Sequence, residues 1–278
     1  MIGVFDSGYG GLTILKDFLK DLPEYDYMYL GDNARAPYGN RDTQTLIHYG
    51  EQAVEYLFDQ GCTLIIIACN TASSNVLRHL QEKYLRKPGV TNRKILGVIK
   101  PQVEAAVKIS KTGKIGVVAT KSTIESESFD IELKHLLPKV EVTKQACPLL
   151  VPLIEEHWHN KPETKMILKK YLRGIKSHNV DSLILACTHY PFLYEDFCRI
   201  MGKNVNVINP GPVVALSLKD YLNRHPEIQK ELTKKKKCIF TTTGDAKKFQ
   251  KMGSEFLGYK LADVRHIDLT SHPRVQSS

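Results

Sequence analysis

The chain has 278 residues, 42% hydrophobic and 25% charged, values ordinary for a folded protein with a sizeable core in one large or two smaller domains. No run of 18 apolar residues occurs, which excludes a membrane-spanning helix, and the start MIGVFDSGYGG lacks the basic and long apolar regions of a secretory signal. The net charge of +9 is scattered except at the four lysines 234–237, and with no nucleic-acid motif beside them a solvated loop is expected there.

Short apolar runs predict strands over 2–5, 27–30, 63–68, 95–98, 115–119, 140–143, 182–186, 205–208 and 238–241. Segments of helical periodicity lie between them, at 12–20, 43–59, 73–84, 102–110, 123–136, 162–177, 212–223 and 245–256. A further short helical segment precedes the lysine run. Alternation of this kind implies an α/β fold with mostly parallel sheets and helices on both faces. Breaks near Ile99-Lys100-Pro101 and Asn209-Pro210-Gly211 divide the chain into 1–97 plus 208–278, a first lobe, and 98–207, a second.

The first strand runs directly into Phe5-Asp6-Ser7-Gly8-Tyr9-Gly10-Gly11. This segment fits neither glycine-rich phosphate signature. It presents Asp6 and Ser7 at the carboxyl edge of the sheet, where an acidic group suits an ammonium rather than a phosphate. A helix-capping role for Asp6 is the plainer alternative.

The six cysteines, at 62, 69, 147, 187, 198 and 238, form no CxxC pair and no zinc-like spacing with histidine. Reduced thiols in a cytoplasmic protein are expected. Two of them recur in one local pattern, LIIIACNTASS at 64–74 and LILACTHYPFL at 183–193. Each has an apolar strand, Ala-Cys, two polar residues and a turn into a helix, and the two cysteines are 118 residues apart (187 − 69). Thr71 or Ser73 suits the cap of the first helix, and Pro191 the first turn of the second. Both thiols are therefore expected at the ligand edge of parallel sheets, near helix N-termini that attract anions and lower a thiol's pKa. A lone cysteine after an apolar run is ordinarily core. The repeat, with His189 two residues after Cys187, favours chemistry, because a histidine there can polarise a thiol or pass on a proton.

The recurrence implies two pseudo-symmetric lobes with a site in the cleft between them. A disulfide is one use of two facing thiols. A cysteine hydrolase would leave Cys69 idle. Inversion of a carbon centre needs both, since one group removes a proton from one face while the other delivers a proton to the opposite face.

FDSGYGG (5–11), YLGDNARAPYG (29–39), ACNTAS (68–73), GVVATKST (116–123), VPLIEE (151–156), ACTHYPFL (186–193), INPG (208–211) and TTGD (242–245) run nearly the whole chain. In this order and spacing the sequence resembles the glutamate racemases of the cofactor-independent aspartate/glutamate racemase superfamily. The resemblance implies that Cys69 and Cys187 are the acid/base residues, assisted by Asp6 and His189. It also implies that Asp6, Ser7, Tyr38, Gly39, Asn70, Thr71, Thr188 and His189 bind substrate. Thr120, Thr123 and Glu155 are further candidates. No cofactor or metal is implied, the substrate is the small molecule glutamate, a homodimer is the family expectation, and D-glutamate would serve peptidoglycan synthesis. The chain departs from the usual pattern at Tyr9, Lys100 and Ala186, none of which removes a catalytic group. His157-Trp158-His159 is read against metal binding, because helical residues two apart do not share a face. An aspartate racemase, and a two-lobed amino-acid-binding protein without turnover, are the alternatives.

Overall fold

The computed structural model of the chain describes residues 1–86 and 92–270. Its first strand, β1 (Ile2–Asp6), is buried at every position, so its sequence is a continuous apolar run rather than an alternation. There follow α1 (Leu12–Asp21), β2 (Tyr27–Gly31), α2 (Thr43–Asp59), β3 (Leu64–Ile67), α3 (Asn70–Leu85) and β4 (Lys94–Gly97). Helix α4 (Ile99–Ile109) leads to β5 (Lys114–Ala119), α5 (Lys121–Glu125), α6 (Ser128–Leu136), β6 (Glu141–Ala146), α7 (Leu150–Glu155), α8 (Pro162–Ser177), β7 (Ser182–Ala186), α9 (Tyr194–Met201) and β8 (Asn206–Ile208). The chain closes with α10 (Pro210–Arg224), α11 (Pro226–Glu231), β9 (Cys238–Thr242), α12 (Ala246–Leu257) and β10 (Val264–His266).

These strands make two parallel sheets flanked by helices. One has the order β10-β9-β2-β1-β3-β4, the other β6-β5-β7-β8. In the first, the chain leaves β1 to one side to make β2 and returns to its other side to make β3. In the second, β5 stands between β6 and β7 in the same way. Each sheet therefore has a topological switch point, and loops at such a point open a crevice at the carboxyl ends of the strands. Cys69 follows β3 and Cys187 follows β7, so the two cysteines hold equivalent positions at the two switch points.

The sheets share one apolar core. Ile2 and Val4 of β1, Leu12 and Phe18 of α1, Leu183 and Leu185 of β7 and Val214 and Leu218 of α10 belong to a single buried cluster. The outer faces have their own cores, under α2 and α3 on the first sheet and under α4 and α6 on the second. The central strands β1, β3, β5 and β7 are thus buried on both faces, one face of each lying in the shared core.

Some elements differ from the sequence reading. The helix expected over 123–136 is broken, because Glu127 adopts a left-handed conformation (φ 55°) between α5 and α6. Strand β10 and helix α7 were not among the predicted elements, and the helix expected after Cys187, with Pro191 in its first turn, opens as a 3-10 turn at Tyr190–Leu193 and continues as α9. Helix α3 starts at Asn70 rather than at 73, and its N-cap is Cys69 itself, whose Sγ accepts the backbone N–H of Ala72 at 3.5 Å, in place of Thr71 or Ser73. The lysines 234–237 form an exposed loop, pinned where Asp26 Oδ1 accepts the backbone N–H groups of Lys235 (3.0 Å) and Lys237 (2.8 Å).

Candidate active site

Backbone from α1 and from the second cysteine corner meets side to side. Thr13 Oγ1 donates to the carbonyl of Thr188 at 2.8 Å, and Thr188 Oγ1 donates to Asp6 Oδ1 at 3.4 Å. A β-carbon on Gly10 would come within 2.2 Å of Thr188 Oγ1 and 2.5 Å of His189 Nδ1, so only glycine permits this approach. The fold thus brings Asp6 and Ser7 of one sheet to Cys187, Thr188 and His189 of the other.

Asp6 is fully buried and does not cap α1, whose N-cap is Gly11 with no side-chain bond. Its Oδ2 accepts the N–H of Gly8 at 2.9 Å. Burial raises its pKa, against the opposing pull of His189, the Gly8 and Gly11 N–H groups and Thr188. Its charge in turn reaches Cys69. The Cys69 thiol points to Ser7 Oγ at 3.4 Å and is only 5% exposed. The helix N-terminus was expected to depress this pKa, but the structure reverses that. Burial, followed by the Asp6 carboxylate, pushes the thiol up to about 12, while the Ser7 and Ala72 hydrogen bonds oppose the rise too weakly.

The second corner has different company. Cys187 Sγ is 6% exposed and 4.0 Å from His189 Nδ1. The other imidazole nitrogen, Nε2, is 2.9 Å from Glu155 Oε1 at the end of α7. Burial acts to discharge His189, but its hydrogen bonds to Cys187 and Glu155 outweigh that and raise its pKa from 6.5 to about 10. Phe256 of α12 meets the imidazole edge to face at 5.7 Å and packs on Phe192 at 4.4 Å, which closes the outer side of the ring. Glu155, which as an isolated helix carboxylate reads as plain surface, is therefore joined to the cysteine corner by contact.

The hydroxyls of Thr71, Thr120 and Thr123 form a triangle, with Thr71–Thr120 at 2.9 Å, Thr71–Thr123 at 3.3 Å and Thr120–Thr123 at 3.0 Å. Gly39 abuts the same group, since a β-carbon there would lie 2.9 Å from Thr120 Cβ. Tyr38 is placed differently from a freely binding side chain. Its ring is buried against Phe5 and its hydroxyl donates to Asp32 Oδ2. Asp32, fully buried, also accepts from Thr243 Oγ1 at 2.7 Å and from Arg35 Nε at 2.7 Å. Thr13 and Phe256 escaped the sequence reading because their partners Thr188 and His189 are distant in the chain, and Asp32 because its role shows only when Tyr38, Arg35 and Thr243 converge on it.

Asn70 is 2% exposed, and its Oδ1 accepts Gln102 Nε2 of α4 at 2.8 Å. His157 and His159 lie beyond the end of α7 in a turn, not on a helix, with His157 paired to Glu255 at 3.1 Å and His159 against Phe192. Among the described residues no group of three or more His, Cys, Asp or Glu is placed to hold a metal ion, and no helix is long and apolar enough to cross a membrane.

Two buried thiols, one beside a carboxylate and the other beside an imidazole, with hydroxyl and amide groups near them, make an arrangement suited to proton transfer. Comparison with known proteins bears on the substrate. Residues 17–218 match the model of the Asp/Glu/hydantoin racemase family. The chain is 35% identical to the glutamate racemase of Geobacter metallireducens over 96% of both chains. Its structure is similar to the crystal structure of glutamate racemase isoform RacE1 from Bacillus anthracis (TM-score 0.88, 33% identity, 97% of each chain). It is also similar to that of the Francisella tularensis glutamate racemase in complex with D-glutamate (TM-score 0.86, 32% identity, 98% of each chain).

Proposed function

The chain belongs to the Asp/Glu/hydantoin racemase family, and from that premise we propose that it interconverts L- and D-glutamate by proton transfer between two cysteines, without a cofactor. The observation that carries the two-cysteine step is topological. Cys69 and Cys187 end equivalent strands at the switch points of two sheets whose edges are tied by the Thr13–Thr188 and Thr188–Asp6 bonds.

The asymmetry of charge around the thiols supports one resting arrangement. Cys69, held up by burial and the Asp6 carboxylate, keeps its proton, and Cys187, with its Sγ 4.0 Å from His189 Nδ1, is the group that takes the α-proton. Its thiolate takes the α-proton of one enantiomer and becomes a thiol. The electron pair left on carbon delocalises into the α-carboxylate, as in an enediolate. Cys69 then gives its proton to the opposite face and becomes the thiolate, and the reverse reaction exchanges the two roles. Asp6 and Ser7 receive the ammonium group. Asn70, Thr71, Thr188 and the backbone at Tyr38-Gly39 receive the carboxylates, and His189 steadies Cys187. Preorganised donors at the developing oxyanion, in a site that excludes water, make the weakly acidic α-proton removable.

The same reading includes lobes of 1–97 plus 208–278 and 98–207, a homodimer, a cytoplasmic location and supply of D-glutamate to peptidoglycan synthesis. The test is racemisation of L-glutamate, followed by circular dichroism without added cofactor. Cys69→Ser and Cys187→Ser are each expected to slow it by roughly 10²–10⁴-fold. Turnover of aspartate but not glutamate would replace the substrate. Binding of glutamate without turnover would leave an amino-acid-binding protein. Near-full activity of either serine variant in both directions would remove the two-cysteine mechanism.

A further inference from the structure

Asn70 opens α3 between Cys69 and Thr71, and its amide has two ends with different fates. Oδ1 accepts Gln102 Nε2 at 2.8 Å, while Nδ2 is buried and has no partner among the described residues. Gln102 is itself fully buried, in the first turn of α4. The same Nε2 also donates to the carbonyl of Val98 at 2.8 Å. Both partners of that nitrogen are acceptors. Turning the Gln102 amide over would set its oxygen against two oxygens, so its orientation is fixed. Once Gln102 presents only N–H to Asn70, the Asn70 amide is fixed too, with its oxygen toward α4 and its NH2 left over. A buried unpaired amide NH2 is costly, and a carboxylate acceptor relieves that cost.

We infer that Gln102 is a positioning residue for Asn70: by holding Oδ1 it commits Asn70 Nδ2 to a carboxylate of the substrate. This inference rests on the proposed racemisation and deepens it. The geometry has a second consequence. Helix α4 carries the chain from the first sheet to the second, and Val98 N, at its start, donates to Ser73 Oγ in the first turn of α3 at 3.3 Å. Two contacts thus join the crossing helix to the turn that bears Cys69 and Asn70, so the donor direction at Asn70 is set by the segment between the sheets.

The test uses the full chain and two near-isosteric variants, measuring KM, kcat and melting temperature with L- and D-glutamate. Gln102→Met removes the donor and keeps the volume. Gln102→Glu sets an acceptor against Asn70 Oδ1 and turns the amide over. KM should rise roughly 10-fold in Gln102→Met, about the worth of one hydrogen bond to a charged group, and further in Gln102→Glu, with kcat changed less. In an Asn70→Ala background the Gln102→Met substitution should change KM less than about twofold, because the group it positions is gone. A purely structural Gln102 predicts instead a lower melting temperature and fewer active molecules with KM unmoved, or effects that multiply in the double variant. Either result overturns the inference. If Gln102→Met fails to fold, Gln102→Glu decides by the same KM criterion, and failure of both to fold also assigns Gln102 to structure alone. Activity of the unsubstituted chain separates the outcomes: no racemisation there refutes the underlying function, whereas normal racemisation with an unmoved KM refutes only the role of Gln102.

Discussion

Cys69 and Cys187 are alike in burial and in topology, and differ in what faces them. Cys69 meets a carboxylate and Cys187 meets an imidazole, and the proposed reaction draws on this difference to tell one thiol from the other. The charge on His189 depends on Cys187 and then on Glu155, 2.9 Å away. Its pKa is raised in the folded chain, so the stability it contributes is complete below 6.5 and is lost as pH rises through about 10. Racemisation should lose its basic limb over the same range. Glu155→Gln removes the negative partner and should shift that limb to lower pH while leaving the acid limb in place. A pH–rate profile of the two forms decides it, and identical basic limbs would show that Glu155 does not govern His189. These neighbours also mark the limit of reading side chains from order alone. That Cys187 and His189 lie together was legible from their spacing of two. That Cys69 is pushed up rather than down was not, because the helix N-terminus is visible in sequence and the burial beside Asp6 is not.

Elements follow the sequence closely where an apolar run is buried on both faces and less closely where partners decide. The strands β1, β5 and β7 announce themselves by composition. β10 has only three residues, Val264, Arg265 and His266, with no apolar run, and exists because β9 offers it a parallel edge. The break between α5 and α6 was likewise hidden, since the local periodicity continues through it. There Glu127 takes a left-handed φ of 55°, which costs a residue with a β-carbon roughly 1–2 kcal/mol. Glycine avoids this cost but brings about 0.4–1 kcal/mol of extra freedom to the unfolded chain. Glu127→Gly also loses a 3.8 Å contact to Lys144, which keeps its 2.9 Å pair with Asp130. The net expectation is a gain of about 0.5–1 kcal/mol, and a rise in melting temperature of roughly 1–3 °C by calorimetry. A fall would show that the Lys144 contact outweighs the backbone strain.

Across the whole molecule, the proposed function rests on repetition of one switch point in two sheets that share a core. A single α/β sheet offers one crevice and one set of strand ends. In the proposed reaction, two such sheets offer a carbon atom two chemically similar groups from different sides, which is what inversion of configuration requires. The repeat was visible in the two Ala-Cys corners. The ties that close them, from Thr13 to Thr188 and from Gln102 to Asn70, were not, because they join residues 175 and 32 apart. Both thiols are only 5–6% exposed, Cys187 at the core the sheets share and Cys69 at the one beneath α2 and α3. The most direct test of the two-cysteine claim is to start each enantiomer of glutamate separately in D2O and read α-deuterium by NMR in product and in recovered substrate before equilibrium. Two groups acting from opposite faces predict deuterium in the product enantiomer and almost none in the recovered substrate, in both directions. Equal early labelling of the two pools would mean that one group serves both faces, and would contradict the account.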